Sequence, residues 1–362
     1  FISHRLPIAI KAIEKGYEVH VATAITGCEN ILKDNGIILH KIELERSSIN
    51  PFKNLFTTIE MVSVIKSVGP NILHLVTIKP IIMGGIASIF CNLIFSIETS
   101  IVASITGVGY PFTSKARRAN YLKILISIFY KISLSNRNKY VIFQNKDDLK
   151  LISSLVRIKS EESILIPGSG VNLLEFKYSP IPTGIPIIMF PARILKSKGI
   201  YEFVEASKYV LNSRFVVVGK LDYNNRDCIS KKVLNKWINE GLIEYWGYSK
   251  YMFKKIQQAT IVVLPSYKEG LPKVLIEAAA SGRPVVTTDV TGCRDAITNN
   301  KTGLLVPLKD YKSLSKAITF LLDNPKILKQ MGIEGRALAE RKYDINHVIK
   351  KHLEIYDELI LR

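Results

Sequence analysis

Glu269 and Glu277 stand eight residues apart in PSYKEGLPKVLIE, Pro265–Glu277, with Gly270 and Pro272 between them. A proline is tolerated in a first helical turn, where its missing N–H would go unpaired anyway. The stretch therefore divides into a loop carrying Glu269 and a helix carrying Glu277 two turns in. Gly270 lets a ligand approach the backbone, and the helix start offers N–H groups to an anionic oxygen. At about 1.5 Å per residue the two carboxylates span roughly a sugar plus a ribose. Hydroxyl acceptors at both ends with anion donors between them suit a sugar nucleotide. Two spaced glutamates alone are a weak signal, since solvated acids at this spacing arise by chance. Upstream, PARILKSKG puts Arg193 and Lys198 in the loop after another strand. Fixed cations there suit a diphosphate that gains negative charge as it departs. A basic loop is more often merely solvated, but both loops are expected to leave the same edge of one sheet, which weakens that reading.

The elements that position these loops alternate between strand and helix. The first half reads as strands YEVHVAT, IILHKIEL, NILHLVT, SIVASITG and KYVIFQN; the Gly/Pro/Ser cluster in SILIPGSGV suits a linker. The second half restarts with IPIIMFPARI, SRFVVVGK, LIEYWGY, TIVVLPSY, RPVVTTDV and TGLLVP. Continuously apolar runs such as FVVVG are strands covered on both faces. With 362 residues, two domains are expected: residues 1–167, residues 168–344, and a helix over 345–362. Doubly wound sheets bind ligands at the carboxyl ends of their strands.

The chain carries 50 Lys+Arg against 31 Asp+Glu, a formal charge of +19. Nucleic acid, an anionic membrane surface and phosphorylated substrates are each consistent with that excess; so is a coding bias toward Ile, Lys and Asn. The excess is clustered. Thr99–Lys146 holds no acid and eight basic residues: Lys115, Arg117, Arg118, Lys123, Lys131, Arg137, Lys139 and Lys146. Cys28, Cys91, Cys228 and Cys293 are scattered, as reduced cytoplasmic thiols are. The six histidines have no metal-ligand spacing. No signal peptide is visible. PIIMGGIASIFCNLIFSI, uncharged from Pro80 to Ile97, nears the length of a membrane span, but its Pro, glycines, serines and Asn favour a buried helix following a strand.

PSYKEGLPKVLIEAAASGRPVVTTDVTGCRDAI, with ARILKSKGIYEFVEA and VVVGK before it, resembles the retaining glycosyltransferases of family 4. SHRLPIAIKA, SSINPF, ITGVGY and PGSGVN extend that resemblance over nearly the whole chain. It implies an α/β GT-B fold, two doubly wound Rossmann-like domains facing across a cleft. Within the family the chain is similar to bacterial N-acetylgalactosaminyltransferases acting on lipid-diphosphate-linked sugars, and to capsule and O-antigen transferases. The implied activity is transfer of a sugar, an N-acetylhexosamine, from a UDP-sugar to a polyprenyl-diphosphate-linked glycan. The resemblance gives Glu269 the donor sugar near its reacting carbon, Glu277 the ribose hydroxyls, and Arg193 and Lys198 the diphosphate. Gly270, Leu271 and Pro272 would line sugar and phosphate, with Gly219 and Tyr248 near the nucleotide. His4, Thr106, Gly107, Arg117, Arg118 and Lys123 would face the acceptor, although His4 suits a helix-capping role equally. His74 reads as a satisfied strand-end histidine. Configuration would be retained by front-face attack, with no cofactor and no metal. Family members open on a strand and a glycine-bearing loop ahead of the segment seen here as FISHRLP; a true start there would leave the first sheet without a central strand, and a sequence that is a piece of a longer chain is the expectation.

In SKARRANYLKILISIFYKISLSNR, Lys123, Ser127 and Lys131 recur at i, i+4 and i+8, a polar stripe on an apolar helix. Either this is a core helix with solvated lysines, or it is an interfacial helix against anionic lipid on the inner face of the plasma membrane. Other classes remain: a nucleic-acid binder, though zinc-finger, RRM and helix-turn-helix signatures are absent; a sugar-nucleotide 2-epimerase of the same architecture; and a non-catalytic sugar-nucleotide binder.

Overall fold

The computed structural model describes residues 1–25, 27, 29–44, 50–107 and 117–362, with backbone alone at 117–122. The chain divides into two units, Phe1–Ser169 with Val348–Arg362, and Gly170–His347.

The first unit runs α1 (Ile2–Glu14), β1 (His20–Thr23), α2 (Glu29–Asp34), β2 (Ile38–Lys41), α3 (Pro51–Val68) and β3 (Ile72–Val76). It continues with α4 (Ile78–Phe95), β4 (Ser100–Ile105), α5 (Arg117–Ser133), β5 (Lys139–Phe143), α6 (Lys146–Leu155) and β6 (Ser163–Leu165). Every pairing is parallel, as helical crossovers require. The described residues form two sheets here, the pair β1-β2 and the four strands β3-β4-β5-β6. Every residue of β4 and β5 is buried, which explains why both are mostly apolar; the exceptions are Ser100, Ser104 and Lys139, the last paired with Glu162 at 3.1 Å.

α3 starts where Asn50 accepts the Phe52 N–H at 2.9 Å, and stops at Gly69 in the left-handed region, φ +58°. α4 is long and apolar enough to cross a membrane by length and composition, yet it packs as a layer helix after a strand. Gly84 lies against the Leu75 side chain, and a Cβ on Gly85 would come within 2.6 Å of the Ser133 carbonyl oxygen. Its glycines thus serve close approach to β3 and α5.

The second unit comprises β7 (Ile187–Phe190), α7 (Ile200–Ser207), β8 (Arg214–Val217), α8 (Lys231–Asn239), β9 (Glu244–Tyr245) and α9 (Met252–Ile256). Then follow β10 (Ile261–Leu264), α10 (Lys273–Ala280), β11 (Val285–Thr288), α11 (Cys293–Ala296), β12 (Gly303–Val306), α12 (Tyr311–Asp323) and α13 (Pro325–Leu338). Its one sheet has the order β12-β11-β10-β7-β8-β9, all parallel. The chain winds from β7 outward to β9, then returns to the other side of β7 and winds outward from β10 to β12. The order therefore reverses between β7 and β10, the position where such sheets open a crevice for ligands. Arg283, without exposed surface, donates to the carbonyls of Ser179, Pro180, Ile256 and Gln257. That set of acceptors is why a buried cation is tolerated beside the strand ends.

The last helix, α14 (Ile345–Leu361), returns to the first unit from Val348 onward. Arg5 Nη1 lies 3.1 Å from His352 Nε2, Tyr17 donates to Asp357 at 2.8 Å, and Tyr140 donates to Glu358.

Candidate active site

Two loops leave the sheet at the switch point, residues 191–199 after β7 and residues 265–272 after β10. They touch because Gly199, at φ +77°, has no side chain where a Cβ would run into the Pro265 carbonyl. The Tyr267 N–H donates to the Ser197 carbonyl at 2.9 Å, and the Ser266 hydroxyl lies 3.2 Å from the same oxygen. This stitching carries Lys198, at the end of a short turn over Lys196–Lys198, to Glu269. Lys198 Nζ and Glu269 Oε1 form an ion pair with side chains 20% and 12% exposed. The buried Ser266 donates its hydroxyl to the same Oε1 at 2.6 Å.

A third loop backs Glu269. Gly292 follows β11 with φ +82°, and a Cβ there would lie 2.5 Å from the Glu269 carbonyl oxygen and on that of Gly270. The Thr288 hydroxyl donates to the Ser266 carbonyl, so β11 fixes the same turn from below. The neighbouring Cys293 is sealed in; burial pushes its thiol up to about 12, which leaves it unreactive.

Pro272 is the residue before α10, with φ −71° and ψ 114°, and not its first helical residue. It gives the helix no side-chain cap; because α10 starts just after the carboxyl end of β10, the positive end of its dipole lies on the side of these loops. Glu277 is the fifth residue of α10, 8% exposed. Burial pushes its carboxyl above the ordinary range, against the pull of Lys273 at 3.6 Å.

The other expected donor residues are placed differently. Arg193 leaves the same loop as Lys198, but its guanidinium pairs with Asp222, in the loop after β8, at 2.7 Å. Gly219 closes β8: its N–H donates to the Gly247 carbonyl at 2.9 Å, its carbonyl accepts from the Tyr245 hydroxyl, and a Cβ would strike the Ala192 carbonyl. Tyr248 is exposed beyond β9, two strands from the switch point. The structure thus brings together Lys198, Glu269 and the turn through Gly270, Leu271 and Pro272, and leaves Tyr248 apart. Ser266, Asp222 and Gly292 were not singled out from the sequence. Ser266 was legible in principle, lying three residues before Glu269 in PSYKE.

In the first unit, His4 is exposed near the start of α1, with its Nδ1 2.6 Å from the Ser3 hydroxyl. Thr106 and Gly107 follow β4, with Gly107 at φ +136°. His74 has both ring nitrogens engaged, by Tyr356 at 2.6 Å and Ser104 at 2.7 Å. The side chains of Arg117 and Arg118 lie outside the described residues. Lys123 lines an open hollow of about 450 Å³ with Ile124, Ser127, Ile128, Lys131 and Leu155. The polar stripe of α5 is there, but Ile124, Leu125, Ile128 and Ile132 are exposed beside it.

Comparison with known proteins decides what class of catalyst this is. Residues 172–338 match the model of "Glycosyl transferases group 1", and residues 2–145 match "Glycosyl transferase 4-like". The chain is a GT-B glycosyltransferase. The matches fall one on each unit, and Lys198, Ser266 and Glu269 lie within the first of them. Along 99% of its length this glycosyltransferase is 29% identical to the N,N'-diacetylbacillosaminyl-diphospho-undecaprenol alpha-1,3-N-acetylgalactosaminyltransferase of Campylobacter jejuni, covering 98% of that protein. It is 27% identical to the capsular polysaccharide biosynthesis glycosyltransferase CapM of Staphylococcus aureus, over 98% of this chain and 94% of CapM. Among solved structures, Anabaena HepE in complex with UDP superposes with a TM-score of 0.77, 16% identity and coverage of 97% and 95%; this likeness concerns the fold.

Proposed function

We infer that this glycosyltransferase moves an N-acetylhexosamine from a UDP-sugar to a polyprenyl-diphosphate-linked sugar in bacterial surface-glycan synthesis. The observation that carries the reading is the Lys198–Glu269 pair, formed by two loops at the switch point of the second sheet. An ammonium beside a carboxylate at the mouth of a parallel sheet offers a cation to a diphosphate and an acceptor to sugar hydroxyls. The names of the Campylobacter and Staphylococcus relatives supply the acceptor class and the pathway type.

In this mechanism the donor's C1–O bond to the diphosphate breaks as the acceptor hydroxyl bonds to C1 from the same face. The hydroxyl proton passes to the departing phosphate oxygen, so configuration is retained. Lys198 and Arg193 stabilise the diphosphate as charge develops on it, which requires each to exchange its carboxylate partner for phosphate. Glu269 holds the sugar and offsets positive charge at C1; Glu277 takes the ribose hydroxyls. Leaving-group charge is met by side chains, so chelators should leave the rate unchanged. The basic helix α5 supports a peripheral position on the anionic inner face of the plasma membrane.

The test is a panel of UDP-sugars offered with a lipid-diphosphate-linked sugar, with the product's anomeric configuration read by NMR. Transfer with retention is expected for one UDP-N-acetylhexosamine. An inverted product, or no transfer from any donor, overturns the reading. Conversion of one UDP-sugar to another without acceptor would instead identify an epimerase.

A further inference from the structure

The outward face of α3 is the wrong way round for a water-facing helix. Its inner side buries Thr57, Met61 and Ile65, as a layer helix should. Its outer side carries Phe52, Leu55, Phe56 and Ile59, spaced at i, i+3, i+4 and i+7, with exposures of 81%, 59%, 53% and 57%. That spacing makes a continuous stripe along one face, not scattered surface residues. Single exposed apolar residues need no explanation, but a contiguous aromatic stripe marks an interaction surface.

The charge around the stripe selects the partner. α3 carries Lys53 and Lys66, and α4, packed beside it, adds Lys79; the two helices hold one acid, Glu60. Glu60 is already engaged, accepting the Glu43 N–H at 2.8 Å. A second copy of the chain would set this cationic surface against an identical one, which like-charge repulsion opposes. A bilayer with anionic headgroups offers both complements at once, acyl chains for the phenylalanines and phosphates for the lysines.

We propose that the N-terminal half of α3 inserts into the bilayer, with Phe52 and Phe56 below the headgroups and Lys53 at phosphate level. This rests on the reading that the acceptor is lipid-linked, and it deepens it. Electrostatic attachment through α5 alone brings the protein to the surface. Insertion of α3 makes that attachment resistant to salt, because apolar burial is not screened.

The experiment is vesicle flotation of the whole protein on phosphatidylglycerol/phosphatidylethanolamine vesicles at low and high salt, beside a Phe52→Ser/Phe56→Ser variant. Wild-type binding should persist at high salt, and the variant should bind about tenfold or more weakly in both conditions. Thermal melting and UDP binding should be unchanged, since both side chains lie on the exposed face of α3. Equal flotation of variant and wild type overturns the proposal, as does complete release of the wild type by salt. Loss of a dimer in the variant with vesicle binding intact would assign the stripe to a second copy and overturn it equally. Transfer to a short-chain, water-soluble acceptor, measured in parallel, is expected from both proteins; its failure would count against the transfer reading and leave flotation to judge α3.

Discussion

Lys198 and Glu269, 71 residues apart in sequence, form an ion pair across the switch point of the second sheet, with Ser266 bonded to the same carboxylate oxygen. With little solvent around them, each holds the other in place where a donor diphosphate and sugar would lie. Under the proposed mechanism a bound donor separates them, with the diphosphate on Lys198 and the sugar on Glu269.

Replacing either member should therefore remove transition-state stabilisation more than binding. Lys198→Ala and Glu269→Ala are each expected to lower kcat by about 10²–10³, with folding intact by circular dichroism. Because the residues interact directly, the double variant should lose less than the product of the single losses. A near-normal rate in either single variant removes that residue from the mechanism.

Ser266 touches Glu269 and not the proposed substrate, so it acts by positioning. Ser266→Ala should lower kcat about tenfold while leaving KM for the donor within about twofold, and Ser266→Thr should restore part of the rate. A purely structural role would show instead as a lower Tm with kcat unchanged.

Glu277 tests the ribose contact and a pH effect together. Its folded carboxyl is raised above the ordinary value near 4.5 by burial. Ionisation is thus disfavoured in the folded protein, and its contribution to stability falls as pH rises from the ordinary value through the raised one. Donor-free Glu277→Gln should consequently melt higher than wild type at neutral pH, with the difference vanishing in acid. The same variant should weaken UDP-sugar binding, measurable by calorimetry. A variant that melts lower at neutral pH and binds normally contradicts both assignments.

The return of α14 to the first unit has its own pH dependence. Desolvation holds the folded His352 down to about 4, and His74 is also well below 6.5, through desolvation and then Arg5. Unfolded histidines take up protons near 6.5, so this stability is complete above that pH and drains as pH falls toward 4. Amide exchange in α14 should accelerate over that interval at constant intrinsic rate, and His352→Phe should flatten the dependence. Exchange independent of pH in the wild type contradicts the account.

The sequence by itself determined the strand and helix alternation, because apolar runs such as IVVL and FVVV have one comfortable setting, inside a parallel sheet. It also determined that Glu269 lies in a loop and Glu277 in a helix, since Gly270 and Pro272 are local instructions. Tertiary structure alone decided which loops meet. The order β10-β7-β8 puts Lys198 on Glu269, gives Arg193 to Asp222, and leaves Tyr248 outside. Ser266 and Gly292 gain their meaning from contacts made through β10 and β11, and no spacing along the chain encodes those. The same holds for α3, where packing against α4 and the segment after β2 covers Thr57, Met61 and Ile65 and leaves Phe52 and Phe56 facing out. Side-chain periodicity shows that a helix has faces; only the packed layers decide which face is covered.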